Sequence, residues 1–236
     1  MLPRVPVFTF YTAMDLFVFF QSIWNSVSTC GGSSRACRVF YFEGNVGVGK
    51  TECMHSVAEM LRERHLSVAC LEENTEAWVS EGLLGCKYSG EEAKFNVHGL
   101  LCDYLRRHKR LMDLREENDV VLVERHPSTS LKVFGVDVLS KKLFEEVGDA
   151  VPGFLNPVPA HTVYVKNSAR ACADRVRRRA RTEEKSIEDF TFETWGDLHD
   201  DMMREREAMG GKVYVFDAFG ADAHTLTPSI VTALGY

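Results

Sequence analysis

The sequence predicts an α/β fold in which a parallel five-stranded sheet is flanked by helices. Five short apolar segments are separated by longer stretches with helical spacing of apolar residues, and they lie at residues 39–42, 67–71, 119–123, 162–165 and 212–216. Strands that alternate with helices form parallel sheets. The carboxyl ends of such strands meet at one edge of the sheet, where ligands bind. The residues that follow each strand are therefore the first candidates for a functional site.

Composition and charge exclude several classes of protein. The chain has 236 residues, of which 45% are hydrophobic and 26% charged, as in an ordinary globular domain. The net charge of −6 argues against a surface that coats nucleic acid, so a basic site would have to be local. The seven cysteines form no C-x-x-C pair, which indicates reduced thiols rather than a disulfide framework or a zinc site.

The first residues fit no targeting pattern well. Residues 5–24 are rich in aromatic side chains, but Asp15 in their middle argues against a membrane-spanning helix. A signal peptide begins with a positively charged region, and Arg4 supplies only one such charge. A mitochondrial presequence is rich in arginine, and this segment has only Arg4 and Arg35. No stable membrane insertion is expected, and an organelle-targeting role stays open.

The domain organisation follows from a change in composition. Residues 26–38 are rich in serine and glycine and are typical of a linker. We expect residues 1–37 to be an extension and linker of unknown role, with Met14 as an alternative start, and residues 38–236 to be the functional domain. A cytoplasmic location is the simplest expectation.

The first predicted strand leads into a glycine-rich turn. Its residues fit G-x-x-x-x-G-K-[ST] at every fixed position: Gly44, Asn45, Val46, Gly47, Val48, Gly49, Lys50 and Thr51. Glycines let the backbone point several N–H groups at one anion, and the helix that follows adds its positive dipole end. Lys50 can reach the β- and γ-phosphates, and the Thr51 hydroxyl can ligate Mg²⁺. A chance glycine-rich turn is the alternative, but a strand before and a helix after favour nucleoside triphosphate binding.

Carboxylates follow the second and third predicted strands. Glu72 and Glu73 are candidates for metal or proton chemistry, although such a pair alone is more often a solvated loop. Trp78 is either a core aromatic or a pocket wall. Glu124 stands where a nucleotide enzyme holds its magnesium, and Arg125 beside it could pair with that carboxylate or with a phosphate.

The segment between these strands predicts a loop at residues 82–92 and one long helix at residues 93–118. Asn96 and His98 near the start of that helix could face a ligand or be structural. A basic stretch on the same helix is most simply a solvated face: Arg106, Arg107, Lys109 and Arg110.

An arginine cluster follows the fourth predicted strand. Its members lie within residues 169–181: Arg170, Arg175, Arg177, Arg178, Arg179 and Arg181. A run of charges is usually only a solvated face. Here the chain is negative overall, so the cluster is a local positive field. Arginines beside a transferring phosphoryl group can raise its rate of transfer by about 10³–10⁵. The cluster therefore predicts a phosphate-gripping lid.

Four of these segments, in this order, resemble the deoxyribonucleoside kinase family, which includes deoxycytidine and deoxyguanosine kinases and herpesvirus-type thymidine kinases. Residues 42–47 resemble the family's I-E-G-N-I-G opening, and Glu73 with Trp78 resembles its T-E-P-x-x-x-W segment. Residues 124–127 are similar to the D-R-H-P of herpesvirus enzymes, and residues 174–184 to the lid E-R-I-x-x-R-A-R-x-E-E. The resemblance runs from about residue 39 to residue 216 and implies a P-loop kinase fold.

The resemblance implies a reaction and its catalytic residues. ATP with Mg²⁺ would donate its γ-phosphate to the 5′-hydroxyl of a deoxynucleoside, with Glu73 as general base. Lys50 and the loop backbone would hold the ATP phosphates, and Thr51 with Glu124 would hold Mg²⁺. Thymidine or another pyrimidine deoxynucleoside is the leading acceptor, and the family is commonly homodimeric.

The resemblance also implies the residues around the acceptor. Arg125 would lie beside the 5′-oxygen, while Arg179 and Arg181 would close over the transferring phosphoryl group. Glu184 and Tyr88 would bind the 3′-hydroxyl of the sugar. Trp78 and Phe134 would line the base pocket, with Phe134 stacking on the base. Asn96 would lie at the base edge.

Three departures from the family pattern concern the acceptor side. The family's F-Q-x-Y segment stands here as residues 95–98, with Asn96 in place of the glutamine that pairs with the base. An amide can still make paired donor–acceptor bonds, but asparagine is one methylene shorter, so base preference depends on its reach. The loop that holds Tyr88 is shorter, and Asn74 replaces the proline after the general base.

Three other readings are open to test. A thymidylate kinase has a similar phosphate loop and arginine lid, but a different segment is expected where Glu73 and Trp78 stand. A regulatory GTPase should carry an N-K-x-D guanine reader, and the chain has no such tetrapeptide. A nucleotide-binding module without catalysis would not need Glu73, Glu124 and the lid arginines.

Overall fold

A computed structural model describes residues 37–87, 91–136, 138–151, 154–155, 161–220 and 222–236. The predicted extension lies outside the described residues up to residue 36, and so does Met14. Tyr88, expected at the sugar, also lies outside them.

The sheet has five parallel strands, as the sequence predicts. They are β1 (Arg38–Glu43), β2 (Val68–Leu71), β3 (Val120–Glu124), β4 (His161–Lys166) and β5 (Lys212–Asp217). Their order across the sheet is β2-β3-β1-β4-β5, so the first strand is central. Phe42 near the end of β1 pairs with Glu124 on one side and Val163 on the other. The turn after β1 therefore lies in the middle of the carboxyl edge.

Helices connect these strands. They are α1 (Lys50–Glu63), α2 (Thr75–Ser80), α3 (Leu83–Cys86), α4 (Glu92–Lys94), a π-helical segment (Phe95–Leu101), α5 (Cys102–Glu117), α6 (Pro127–Val133), α7 (Val138–Ala150), α8 (Ala169–Arg179), a 3₁₀ turn (Thr182–Glu184), α9 (Asp189–Ala208), a second 3₁₀ turn (Ala223–Leu226) and α10 (Thr227–Ala233). Within the described ranges, none of them combines the length and the apolar character that a bilayer crossing requires.

The three central strands β1, β3 and β4 are buried on both faces, which is why they read as continuous apolar runs. Along β3, Val120 and Leu122 belong to the large core that contains residues of α1. The alternate residues Val121 and Val123 pack on the opposite face with Leu111 of α5. Two layers of helices thus hold the central strands and fix the edge where the loops emerge.

The segment before β3 differs from the prediction in two respects. The expected loop at residues 82–92 contains the short helix α3, whose Leu83 and Leu84 are buried. The expected single helix at residues 93–118 is interrupted by the π-helical segment, where the ring of Phe95 lies over Gly99. A Cβ at Gly99 would come within 2.9 Å of that ring. A wider turn of this kind adds one residue, which a 3.6-residue period does not reveal.

Candidate active site

Two glycines fit the phosphate loop into the centre of the sheet edge. Gly44 has φ +143°, and a Cβ there would lie 2.3 Å from the carbonyl oxygen of Val165 in β4. Gly47 has φ +79°, and a Cβ would lie 2.5 Å from the carbonyl oxygen of Cys172 in α8. Only glycine combines these backbone angles with such close approach. The loop therefore runs directly into α1, whose first N–H groups lack helical partners and can bind an anion.

Lys50 at the start of α1 is buried inside the loop. Its ammonium group donates to the carbonyl oxygen of Asn45 at 3.2 Å and lies 3.9 Å from a carboxylate oxygen of Glu124. Burial, and then the nearby positive charge of Arg125, lower the pKa of Lys50 to about 8, while the negative charge of Glu124 opposes the shift. The negative charge of a bound polyphosphate would favour the protonated, positively charged form of Lys50.

Thr51 and Glu124 come together although 73 positions separate them in sequence. The Thr51 hydroxyl lies 3.1 Å from both carboxylate oxygens of Glu124. A hydroxyl and a carboxylate are oxygen ligands of the kind that Mg²⁺ accepts when nucleotide phosphates and water complete its shell. This donor set fits magnesium, and the described residues contain no cluster of three or more His, Cys, Asp or Glu side chains that would hold a metal without a nucleotide.

Glu73, two residues after β2, faces the same cavity. Its Oε1 accepts from Nε of Arg125 at 2.9 Å and from the hydroxyl of Tyr104 at 3.1 Å. Burial raises the pKa of Glu73, but the positive charges of Arg125 and Lys50 outweigh it, so that the pKa lies below its usual value. Glu73 is therefore an ionised carboxylate at neutral pH and able to accept a proton.

Arg125 joins the two halves of the site. Besides binding Glu73, its guanidinium donates to the carbonyl oxygen of Gly44 at 3.3 Å. Its backbone is in the left-handed region, with φ +62°, and its N–H donates to the carbonyl oxygen of Phe42 at 3.0 Å. Buried Glu43 holds the next turn by accepting from the N–H of His126 at 2.9 Å. A strained residue fixed in this way is typical of a functional position.

The arginine lid is held by Glu184. Arg179 at the end of α8 donates to both carboxylate oxygens of Glu184 at 2.7 Å, and Arg181 lies 3.6 Å from Oε1. The chain turns between the two arginines at Ala180, which has φ +59°. Glu184 is buried, and it lines the cavity together with both arginines. Glu184, which is expected at the sugar 3′-hydroxyl, therefore holds both lid arginines in this structure.

Aromatic side chains form the opposite end of the cavity. The rings of Trp78 and Phe95 meet edge to face with centroids 5.6 Å apart, and Phe134 meets Trp195 in the same way at 5.2 Å. The guanidinium carbon of Arg125 lies 4.5 Å from the centroid of Phe134. Trp78 and Phe134 both line the cavity, at positions where a flat base could stack.

Asn96 is not brought to the cavity wall. It is buried with 5% of its surface exposed, and its neighbour Phe95 lines the cavity instead. Asn96 lies in the π-helical segment, where the extra residue per turn changes which side chains face the site. Its role at the base edge stays a prediction.

Several residues of the site were missed by sequence reasoning. The prediction that Arg107 belongs to a solvated face is wrong: only 7% of it is exposed, and it donates to the carbonyl oxygens of Leu71 and Glu124. Lys87 lies 4.7 Å from the Phe134 centroid, and burial lowers its pKa to about 8. The only sequence signal was that Arg107 lies on the face of α5 shared with apolar Leu111.

These groups enclose a single cavity of about 1050 Å³. Its wall combines the phosphate loop, the strand-end carboxylates, the lid and the aromatic end, including Lys50, Thr51, Glu73, Trp78, Glu124, Arg125, Phe134, Arg179, Arg181 and Glu184. Asp222 and His224 from the carboxyl-terminal part also line it, and Asp222 pairs with Arg175 of the lid. The arrangement has room for two substrates, one at the phosphate loop and one at the aromatic end.

Comparisons with known proteins agree with this architecture. Structures of deoxyadenosine kinase from M. mycoides align over 83–84% of this chain and 98–100% of theirs, at 17–18% identity. Their TM-scores are 0.61 for the form with the products dCMP and dCDP, 0.63 with dCTP and 0.62 with dATP, which shows a shared fold. No curated protein sequence matches significantly. A family model of deoxynucleoside kinases matches residues 40–224. The chain therefore belongs to the deoxynucleoside kinase family.

Proposed function

We propose that the protein transfers the γ-phosphate of ATP to the 5′-hydroxyl of a deoxyribonucleoside. One observation carries this proposal: the guanidinium of Arg125 binds both Glu73 and the phosphate-loop carbonyl of Gly44. A proton-accepting carboxylate and a triphosphate-binding loop thus share one guanidinium and one cavity. This arrangement supports in-line transfer between two substrates that are held close together.

At the donor end, residues 44–51 would hold the ATP phosphates, with the Lys50 ammonium at the β- and γ-phosphates. Thr51 and Glu124 would hold Mg²⁺, which neutralises charge on the phosphates when bound. Burial of Lys50 strengthens its electrostatic interaction with the transferred group, because little water competes for it.

At the acceptor end, Glu73 would take the proton from the 5′-hydroxyl as its oxygen attacks the γ-phosphorus. The O–H bond breaks, the new O–P bond forms, the bond to the β-phosphate oxygen breaks, and the proton resides on Glu73 before it leaves to solvent. The lowered pKa of Glu73 keeps this carboxylate ionised and ready to accept. Arg125 would hold both the carboxylate and the attacking oxygen in place.

The lid would close the site during transfer. Arg179 and Arg181 would neutralise charge on the transferring phosphoryl group, and the same closure would exclude water as a competing acceptor. A sugar 3′-hydroxyl that donates to Glu184 would be read by the carboxylate that holds both arginines. Acceptor binding and lid position would then be linked.

A pyrimidine deoxynucleoside, with thymidine leading, is the acceptor that we propose. The proposal is supported by the likeness of residues 124–127 to the herpesvirus enzymes and by Phe134, whose ring could stack on a single-ring base. Because the solved relatives are deoxyadenosine kinases, deoxyadenosine belongs in the same test.

The test is a transfer assay with γ-labelled ATP and Mg²⁺, in which each of the four deoxynucleosides and thymidine monophosphate are supplied separately and the products are chromatographed. The proposal predicts labelled nucleoside 5′-monophosphates. Label transferred to thymidine monophosphate alone would identify a thymidylate kinase instead. ATP binding without any transfer would identify a non-catalytic nucleotide-binding module.

A further inference from the structure

A buried phenol lies directly behind the general-base candidate. Only 2% of Tyr104 on α5 is exposed, and its hydroxyl donates to Oε1 of Glu73 at 3.1 Å. The same hydroxyl lies 2.8 Å from Oγ of Ser130 on α6, which is 1% exposed. A tyrosine has one O–H to donate. If that proton goes to Glu73, the Ser130 hydroxyl donates to Tyr104, and the three groups form a directed chain that ends on the carboxylate.

The two donors to Glu73 address the same oxygen. Nε of Arg125 at 2.9 Å and the Tyr104 hydroxyl at 3.1 Å both bind Oε1. Two converging donors fix the plane of a carboxylate as well as its position. They also leave Oε2 as the oxygen that neither of them occupies.

The position of Tyr104 is itself fixed from β2. Arg107, one turn further along α5, donates to the carbonyl oxygen of Leu71 at 3.2 Å, and Leu71 is the last residue of β2. The guanidinium carbon of Arg107 lies 5.2 Å from the Tyr104 ring. The element that presents the phenol is thus anchored to the strand that presents Glu73, so the separation between them is held constant.

The phenol is a permanent donor in this environment. Burial, and then the negative charge of Glu73, raise the pKa of Tyr104 well above its usual value. Tyr104 therefore keeps its proton over the whole range in which a kinase works. Its hydrogen bond stabilises the ionised form of Glu73 and not the protonated form.

We propose that Tyr104 is a positioning residue of the transfer reaction, which holds Glu73 through Oε1 so that Oε2 accepts the proton of the 5′-hydroxyl. The inference rests on the proposed function, since it gives Glu73 the role of general base. In the transfer step the proton moves from the 5′-oxygen to Oε2 while Oε1 keeps both of its donors. Tyr104 itself exchanges no proton with the substrate.

The first experiment compares Tyr104→Phe with a matched control, Tyr41→Phe, which removes a hydroxyl from another buried tyrosine with no bond to Glu73. Phenylalanine keeps the ring and its packing. We expect kcat to fall about tenfold in Tyr104→Phe, as for loss of one hydrogen bond to a charged group, with KM for ATP unchanged. The acidic limb of the pH profile of kcat should move to higher pH, because Glu73 loses a donor to its ionised form.

The second measurement does not depend on turnover. The carboxyl ¹³C signal of Glu73, assigned by its loss in Glu73→Gln, is titrated by NMR in the full chain and in both phenylalanine variants. Tyr104→Phe should raise the pKa of Glu73, and Tyr41→Phe should leave it unchanged. The same pH profile and the same Glu73 titration in all three proteins would overturn the positioning role, even if Tyr104→Phe is less active or less stable. If the proposed function fails, no transfer is seen in any protein while the NMR titration still decides whether Tyr104 controls Glu73.

Discussion

The two ends of the cavity are built in different ways. The donor end takes most of its groups from one run, residues 44–51, in which glycine backbone angles and a helix start form the binding surface. The acceptor end takes Glu73, Tyr104 and Phe134 from three separate segments. Anion binding by backbone is a property of local chain geometry, whereas recognition of a nucleoside depends on how distant helices pack. The donor end should therefore tolerate little change within its run, and the acceptor end should respond to changes in several places.

The two ends meet at a residue with an unusual backbone. Arg125 has φ +62° and binds Glu73 with one part of its guanidinium and Gly44 with another. The backbone strain is stabilised by the buried carboxylate of Glu43, which holds the turn that follows. A single side chain thus couples the position of the acceptor carboxylate to the position of the phosphate loop.

Apart from loss of the general base, the largest effect is expected in the arginine lid. Replacing Arg181 by alanine should lower kcat by about 10³, because it removes an arginine that stabilises charge on the transferring group. Arg170→Ala, near the start of α8, is the control, since that side chain is exposed and does not line the cavity. Steady-state kinetics with γ-labelled ATP measure both. Equal activity of the two variants would show that the lid only covers the site.

A smaller effect is expected at the aromatic end. Phe134→Ala should raise KM for the nucleoside about 10- to 100-fold, because stacking of a base on an aromatic ring stabilises binding by about 1–3 kcal/mol. KM for ATP should change little. Phe190→Ala serves as control, since Phe190 is 63% exposed. An equal rise in both Michaelis constants would mean that Phe134 supports the whole fold and does not form a wall of the acceptor site.

The smallest effect on turnover is expected at Asp103, which should instead affect stability. Burial raises the pKa of Asp103 to about 6 from its ordinary 3.8, although Arg107 opposes the shift. The unfolded chain releases this proton first as the pH rises, so the folded state loses stability between about pH 4 and pH 6. At pH 7, Asp103→Asn should increase the free energy of unfolding by about 1–2 kcal/mol.

Urea unfolding at pH 4 and pH 7 measures this difference. The gain should be present at pH 7 and almost absent at pH 4, where the carboxyl is neutral in the folded state and only about half ionised in the unfolded chain. Asp113→Asn, an exposed position on the same helix, should change stability at neither pH. Loss of stability in Asp103→Asn at pH 7 would show that the ionised carboxylate stabilises the fold. The expected gain in the free energy of unfolding would show that the ionised carboxylate of Asp103 lowers the stability of the native fold.

Prediction from sequence succeeded where the relevant physics is local. The parallel sheet follows from five apolar runs that alternate with helices, and the phosphate loop from its glycine spacing. Sequence reasoning did not single out Tyr104, because its hydroxyl acquires a partner only through the packing of α5 on β2. Arg107 was predicted to lie on a solvated face. The spacing of apolar residues along a helix does not show that its guanidinium donates to the carbonyl oxygens at the ends of two strands.

The acceptor end was harder to predict from sequence, because its contacts also depend on how distant segments pack. The π-helical segment inserts one residue per turn between Phe95 and Leu101, so spacing along an ideal helix misplaces the side chains that face the cavity. Asn96 was expected at the base edge, and Phe95 is the member of this pair that lines the cavity. Lys87 lay in an expected loop with no pattern to mark it, yet its ammonium group lies 4.7 Å from the Phe134 ring centre.

Glu73→Gln tests most directly whether Glu73 accepts the proton of the attacking hydroxyl. Glutamine keeps the shape of the side chain but cannot act as a base. Single-turnover transfer from γ-labelled ATP should fall about 10²- to 10⁴-fold, with nucleoside and ATP affinities near those of the native chain. Glu72→Gln is the matched control, because that neighbouring carboxylate pairs with His55 at 2.8 Å and is 47% exposed. Near-normal transfer in Glu73→Gln, or an equal loss in Glu72→Gln, would contradict the account.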